Sequence, residues 1–121
     1  MRFLIIVKAK EDSEEGVMPP KEMFEAMAGY HEELADAGLL LEASGLKPSK
    51  EAWRMRYSGG RRTLVDGPFA ETKELIAGFT LIRANAREEA LEWTKRFPNP
   101  APGDGDTEAH FRALERKQEE R

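Results

Sequence analysis

The sequence contains no cysteine, little histidine and no long apolar run. The lack of cysteine among its 121 residues excludes disulfide bonds, thiolate metal ligands and a cysteine nucleophile. Its longest apolar run, residues 3–7, is far shorter than the about 20 residues that cross a bilayer. Two histidines far apart in the chain make a weak case for a metal site, so we expect neither a metal nor a cofactor.

The charge balance is slightly acidic, with 19 Lys and Arg against 23 Asp and Glu and a net charge of −4. This balance argues against nucleic acid or an anionic membrane as a partner. Charged residues follow the first apolar run at once and no small-residue cleavage site ends it, so we expect a cytoplasmic protein without a signal peptide. The length fits one domain over residues 1–121, with residues 115–121 as a frayed charged tail.

The apolar pattern predicts the element order β-α-β, hairpin, β-α-β. Residues 2–8 are apolar at nearly every position, which is typical of a strand covered on both faces. Gly59-Gly60 indicates a tight hairpin turn. The first helix begins at Pro19-Pro20, after a loop, and ends at Gly38, and we expect Asn85 to cap the second helix. The predicted strands cover residues 2–8, 39–46, 53–58, 62–66, 76–83 and 107–114, with a helix as the alternative for residues 107–114.

Two such βαβ halves form a ferredoxin-like sheet, an α+β fold with both helices on one face and here with an inserted hairpin. The strands at residues 2–8 and 76–83 are nevertheless apolar on both faces, and the sequence holds no third layer. The sequence therefore predicts that a second copy packs sheet to sheet, as a homodimer.

The segment Asp-Gly-Pro-Phe-Ala-Glu-Thr-Lys-Glu, residues 66–74, is the most informative stretch. If Asp66 and Glu71 face one pocket, their repulsion and partial burial let one of them carry a proton near neutral pH, and Lys73 can hold an anionic substrate. In the structural alternative, Asp66 bonds its own turn backbone and Phe69 fills the core.

Residues 66–74 resemble the signature of the DGPF branch of the YCII-related family, which consists of small bacterial proteins. Residues 1–9, 33–38, 40–46, 75–79 and 90–93 and Pro98-Asn99-Pro100 also resemble that family. The resemblance implies a dimeric α/β barrel, and a His and Asp working as an acid/base pair in a cleft. It also implies links to the breakdown of chlorinated aromatic compounds, and to sigma factors of the extracytoplasmic type encoded beside DGPF members.

Three further residues are candidates for substrate binding, on the first helix and in the last strand. His31 has the side chain most used as a general base, but the family's histidine lies about one turn earlier, near Ala28, so His31 is either a helix-face residue or a ligand contact. Tyr30 is either a core residue or the edge of a pocket. Arg112 resembles an arginine of the family's last strand, and either binds a carboxylate or forms a salt bridge. The substrate-binding candidates are Tyr30, His31, Phe69, Lys73 and Arg112.

Three functions fit these residues. The first is a cofactor-free acid/base enzyme, an isomerase, lyase or hydrolase, that acts on a small organic substrate with Asp66 and Glu71 as catalytic residues. The second is a non-catalytic small-molecule binder or sensor linked to stress or sigma-factor regulation, and the third is a dimerising module. The fold does not choose between them. We favour the enzyme, and a pocket that holds Asp66 and Glu71 would exclude the third function.

Overall fold

The computed structural model describes residues 1–71, 74–100 and 107–115. Its elements alternate as the apolar pattern predicts, with a short additional helix near the N-terminus. The strands are β1 (Arg2–Lys8), β2 (Leu40–Gly45), β3 (Trp53–Ser58), β4 (Arg61–Asp66), β5 (Ile76–Arg83) and β6 (Ala109–Ala113). The helices are α1 (Glu11–Glu14), α2 (Lys21–Asp36) and α3 (Arg87–Lys95), and a 3₁₀ turn covers Ser49–Glu51.

The main sheet has the strand order β2-β5-β1-β6, and every neighbouring pair is antiparallel. This order, with one helix following β1 and one following β5, is the ferredoxin-like arrangement that the sequence predicts, and the prediction is confirmed. Because β1 and β2 are each antiparallel to β5, they run parallel to one another. Strands β3 and β4 form a separate two-stranded sheet inserted between β2 and β5.

The hydrophobic core lies between one face of the main sheet and the two longer helices. On β1, Phe3 and Ile5 are buried, and they pair with buried residues of β5. Leu34 of α2 is fully buried against this face, and Ala90 of α3 belongs to the same cluster. Removing this apolar surface from water contributes about 25 cal/mol per Å² to folding. The partly buried residues around the cluster are Leu39, Leu40, Trp93, Phe97, Ala109 and Phe111.

The opposite face of the main sheet, called here the outer face, is apolar in its middle and charged at its edges. Leu4 pairs with Leu81 and Ile6 pairs with Phe79, and all four side chains are only half-buried. The residues that flank this apolar strip are exposed: His110 and Arg112 on β6, and Glu42 and Ser44 on β2. The expectation that the central strands are apolar on both faces therefore holds for these residues.

Turn and cap residues decide where the elements begin and end. The hairpin turn is as predicted, since Gly59 and Gly60 both have positive φ. The predicted Asn85 cap is wrong, because α3 begins only at Arg87 and no side chain caps it. The Asn85 amide instead donates to Oε1 of Glu89 at 2.7 Å, so a carboxylate of the first turn satisfies the backbone there.

The expected loop at residues 9–18 contains α1, whose one turn is closed by Ser13: its hydroxyl donates to the Lys10 carbonyl and accepts from the Lys10 amide. In the described part of the chain, no helix combines the length and the apolar composition needed to cross a bilayer. Of the expected tail, residues 116–121 lie outside the described residues.

Candidate functional site

The turn that follows β4 is fixed by contacts with the segment before β3. The Gly67 amide donates to the Ala52 carbonyl at 2.9 Å, and the Phe69 amide donates to the Ser49 hydroxyl at 3.0 Å. A Cβ atom on Gly67 would lie 1.8 Å from the Ser49 carbonyl oxygen, so only glycine fits this approach. The glycine of the DGPF segment is thus required by packing between two backbone segments.

A buried serine and a carboxylate hold this turn in place through hydrogen bonds. Ser49 is 6% exposed, and its hydroxyl donates to one carboxylate oxygen of Glu14. The other Glu14 oxygen accepts from the Ser49 amide at 3.1 Å. One carboxylate of α1 therefore holds the serine that holds the Phe69 amide. The sequence analysis missed both residues, because 35 positions separate them and no local pattern connects them.

Phe69 packs against a cation at the edge of the turn. The guanidinium carbon of Arg54 lies 3.7 Å from the centre of the Phe69 ring, within the range of a cation–π interaction. The ring is half-buried and is not part of the core cluster described above. The structural alternative expected Phe69 to fill the core, and this expectation is wrong. The Phe69 ring instead holds the Arg54 guanidinium, a positive charge, beside the turn.

Asp66 is exposed at the end of β4, where it pairs with Trp53. Within the described residues its carboxylate accepts no hydrogen bond, so the bonds that shape the turn come from Ser49 and Ala52 and not from Asp66. Glu71 is exposed as well. Lys73, predicted to bind an anionic substrate, lies outside the described residues.

Tyr30 and His31 lie in the helix layer. The Tyr30 hydroxyl donates to the Trp93 carbonyl of α3 at 2.9 Å, and burial raises the pKa of this phenol to about 12, against an opposing effect of Arg96. Nε2 of His31 lies 2.8 Å from the hydroxyl of Thr80, which is buried on β5. Burial lowers the pKa of His31. Within the described residues no hydrogen bond or ion pair joins either side chain to Asp66.

Arg112 is exposed on the outer face and, in the described part of the chain, forms no ion pair. Two residues before it, Nε2 of His110 lies 2.9 Å from a carboxylate oxygen of Glu108. In residues 1–71, 74–100 and 107–115, no three histidine or acidic side chains are grouped so that they could hold a metal ion.

An open cavity of about 390 Å³ lies between the end of α3 and the start of β6. It holds none of the predicted site residues that the structure describes. Those residues instead occupy three places, namely the turn after β4, the helix layer and the outer face. The cavity is lined by Thr94, Phe97, Pro98, Asn99, Pro100, Thr107, Glu108, Ala109 and Phe111.

Comparison with known protein families finds one domain that spans almost the whole chain. A family model of the YCII-related domain matches residues 1–118. The chain belongs to the YCII-related family. A curated relative of this YCII-related protein is an uncharacterised protein of Rhizobium meliloti (strain 1021), 35% identical over 88 residues, which are 73% of this chain and 71% of the relative.

A solved structure is similar to this YCII-related protein over its whole length. It is the 5-chloro-2-hydroxyhydroquinone dehydrochlorinase TftG of Burkholderia phenoliruptrix AC1100, in complex with 2,5-dihydroxybenzoquinone. The TM-score is 0.51 and the identity 16%, over 98% of each chain. At this identity the likeness shows a shared fold.

Replacing Gly67 with alanine tests the close approach at the turn. We expect Gly67→Ala to lower the free energy of unfolding by about 1–3 kcal/mol, because its Cβ overlaps the Ser49 carbonyl. The control is Gly29→Ala in α2, where a Cβ meets no atom within 4 Å and where alanine should add about 0.5–1 kcal/mol. Urea denaturation measures both, and equal changes in the two variants would contradict the assignment.

The half-buried position of His31 predicts a pH dependence of stability. Because burial lowers its pKa from the ordinary 6.5, the unfolded chain takes up a proton at a higher pH than the folded chain. The free energy of unfolding should therefore fall as the pH drops below about 6.5, until the folded chain is protonated as well. Subtracting the profile of His31→Gln, which cannot titrate, isolates this effect from that of His110. Parallel profiles between pH 7.5 and 5 would refute it.

Proposed function

We propose that this YCII-related protein is a cofactor-free acid/base enzyme, of the isomerase, lyase or hydrolase type, that acts on a small organic substrate. The observation that carries the proposal is the turn at residues 66–69. A buried serine, a carboxylate and a glycine without room for a side chain fix its backbone, while the Asp66 carboxylate remains exposed. Catalysis by proton transfer needs a group held in a set geometry, which such a turn provides.

The charges around the turn suit an acidic substrate. The Arg54 guanidinium, stacked on Phe69, is a fixed cation beside the turn that presents Asp66. A phenolate or a carboxylate of the substrate can pair with this cation at the base of the hairpin, where Arg54 and Asp66 leave opposite faces of the two strands. Glu71 follows five residues later and is the second carboxylate of the proposed site.

Hydroxylated aromatic rings are the first substrate class to test. The structural neighbour TftG is a 5-chloro-2-hydroxyhydroquinone dehydrochlorinase, and its structure holds 2,5-dihydroxybenzoquinone. Removal of hydrogen chloride from such a ring needs a group that accepts the proton as chloride leaves, which is the role we propose for Asp66. These rings also carry acidic hydroxyl groups, which suit the cation at Arg54.

Asp66→Asn tests the catalytic role. We expect turnover of a chlorinated hydroxyhydroquinone, measured as chloride release, to fall about 10²–10⁴-fold. Binding of 2,5-dihydroxybenzoquinone, measured by calorimetry, and the melting temperature should change little, because Asp66 is exposed. The control is Asp36→Asn, an exposed acid at the end of α2.

The outcomes separate the enzyme from the binder. Unchanged turnover in Asp66→Asn would refute its catalytic role. Binding by the wild-type protein without turnover of any ring in a panel of hydroquinones and quinones would favour the non-catalytic binder or sensor. If the wild-type protein neither binds nor converts any of these rings, hydroxylated aromatic rings are excluded as its substrate class.

The proposal includes a homodimer in which two outer faces pack together. The strip formed by Leu4, Ile6, Phe79 and Leu81 is half-buried in a single chain, and sheets commonly bury such strips against one another. A stable interface buries about 1,600 Å² in total. Two copies of a four-stranded face with an apolar middle and a polar rim have the anatomy of such an interface.

Charges at the sheet edges favour one orientation of the two-fold axis. Arg112, Leu4, Leu81 and Glu42 form one row across the outer face, with the cation on β6 and the anion on β2. With the axis parallel to the strands, Arg112 faces Glu42 of the partner subunit, twice by symmetry. With the axis across the strands, β6 faces β6 and Arg112 meets His110 of the partner subunit. The first orientation pairs opposite charges, and we propose it.

A charge exchange tests this orientation. Arg112→Glu should raise the dimer Kd at least tenfold, since two pairs of like charges then face one another. Combining it with Glu42→Arg should restore the Kd, and Arg87→Glu, at the exposed start of α3, is the control. Sedimentation velocity measures the Kd. A wild-type monomer at tens of micromolar would refute the dimer, and a double variant no tighter than Arg112→Glu would refute the orientation.

A further inference from the structure

The hairpin formed by β3 and β4, residues 53–66, is called here the arm. It is a sheet of its own, and every strand residue in it except Val65 is exposed. Hydrogen bonds of Gly67 and Phe69 to the segment before β3 anchor its base. A lone two-stranded hairpin is only marginally stable in water, so the arm is expected to gain stability from a surface that covers it.

One face of the arm carries four large apolar side chains. Trp53, Met55 and Tyr57 alternate along β3, and Leu64 of β4 lies directly across from Met55. Their exposed fractions are 67%, 43%, 69% and 57% for Trp53, Met55, Tyr57 and Leu64. A continuous apolar patch rich in aromatic residues is typical of a protein interface and unusual on a surface left in water.

The arm is also the basic part of an acidic chain. It contains four arginines and one aspartate, so its net charge of +3 leaves −7 on the rest of the chain. Outside its own arm, a second copy of the same chain therefore carries a net charge opposite to that of the arm. Charge complementarity of this kind selects partners and orients them before contact.

One segment of the chain combines exposed apolar side chains with acidic ones. Val17 and Met18, just before α2, and Phe24, in its first turn, are 53%, 73% and 53% exposed. Apolar side chains here can meet the rings of the arm while the acids meet Arg62, the arginine that lies across from Tyr57 on the same face of the arm. The exposed acids within residues 11–25 are Glu11, Asp12, Glu15, Glu22 and Glu25.

We propose that the arm of one subunit docks on residues 11–25 of a second copy, so that two arms are exchanged in the dimer. This inference rests on the homodimer proposed above. Strands β1 and β2 run parallel, so the segment that follows β1 and the arm that follows β2 leave the sheet at the same end. With a two-fold axis parallel to the strands, both copies present arm and segment at one end of the dimer.

Arm exchange would make the proposed site composite. Asp66 is the last residue of the arm, and the turn behind it holds Phe69. A second subunit seated on the apolar face of the arm therefore borders the site, because Asp66 lies on that face, paired with Trp53.

The cysteine-free chain permits a direct test by disulfide cross-linking between two single variants. Tyr57→Cys is mixed with Met18→Cys or Phe24→Cys, equilibrated and oxidised, and a link between different variants can form only between chains. We expect these mixtures to give a heterodimer several-fold faster than Tyr57→Cys with Leu91→Cys, an exposed residue of α3. If neither mixture exceeds this control, the docking surface is wrong.

A second test weakens the arm without touching the core. Trp53→Ser combined with Tyr57→Ser should raise the dimer Kd at least tenfold, with Leu91→Ser as the control and the melting temperature as a check on folding. An unchanged Kd overturns the arm exchange and leaves the sheet-face dimer standing. A monomeric wild-type protein overturns both. The arm could instead bind a membrane or a nucleic acid. If the wild-type protein binds phosphatidylserine vesicles or single-stranded DNA, and the double variant loses this binding while its dimer Kd is unchanged, the exchange is also overturned.

Discussion

The close approach of Gly67 to the Ser49 carbonyl is the constraint on which the candidate site depends. It brings the chain after β4 against the chain before β3, so both ends of the hairpin leave the body of the molecule at one point. The Ser49 hydroxyl then bonds the Phe69 amide, and Phe69 receives Arg54 on its ring. A side chain at position 67 would separate these two segments, and the position of Asp66 would change with them.

Much of the fold could be predicted because its signals are local. The continuous apolar run of β1, Pro19-Pro20 before α2 and the glycine pair between β3 and β4 each lie within a few residues, and each indicates the element found. The strand order followed from the two βαβ halves, since that topology brings β1 and β5 to the centre. The Asn85 cap failed because α3 begins at Arg87, one residue too late for Asn85 to be its cap, and the Asn85 amide is held by Glu89 of the first turn. Local propensity does not decide which residue begins a helix.

The candidate site was less predictable, for a physical reason. The pattern of residues 66–74 indicated Asp66 and Phe69 as candidates. The turn that carries them is held by Glu14 and Ser49, which are distant in sequence. Tyr30 was expected to be either a core residue or the edge of a pocket. The sequence near Tyr30 does not tell that its hydroxyl is used by the Trp93 carbonyl. Partners of polar atoms are set by tertiary contacts.

The two tryptophans of the chain lie in opposite surroundings. Trp93 packs in the helix layer, where its ring lies edge-on to the Tyr30 ring and the Arg96 guanidinium lies over the Trp93 ring. Trp53, in contrast, is 67% exposed on the hairpin. Indole fluorescence shifts to shorter wavelengths as water is removed from the ring. The molecule therefore carries two intrinsic optical reporters, one for the integrity of its core and one for the hydration of its hairpin. Exchanging either tryptophan for phenylalanine leaves the signal of the other.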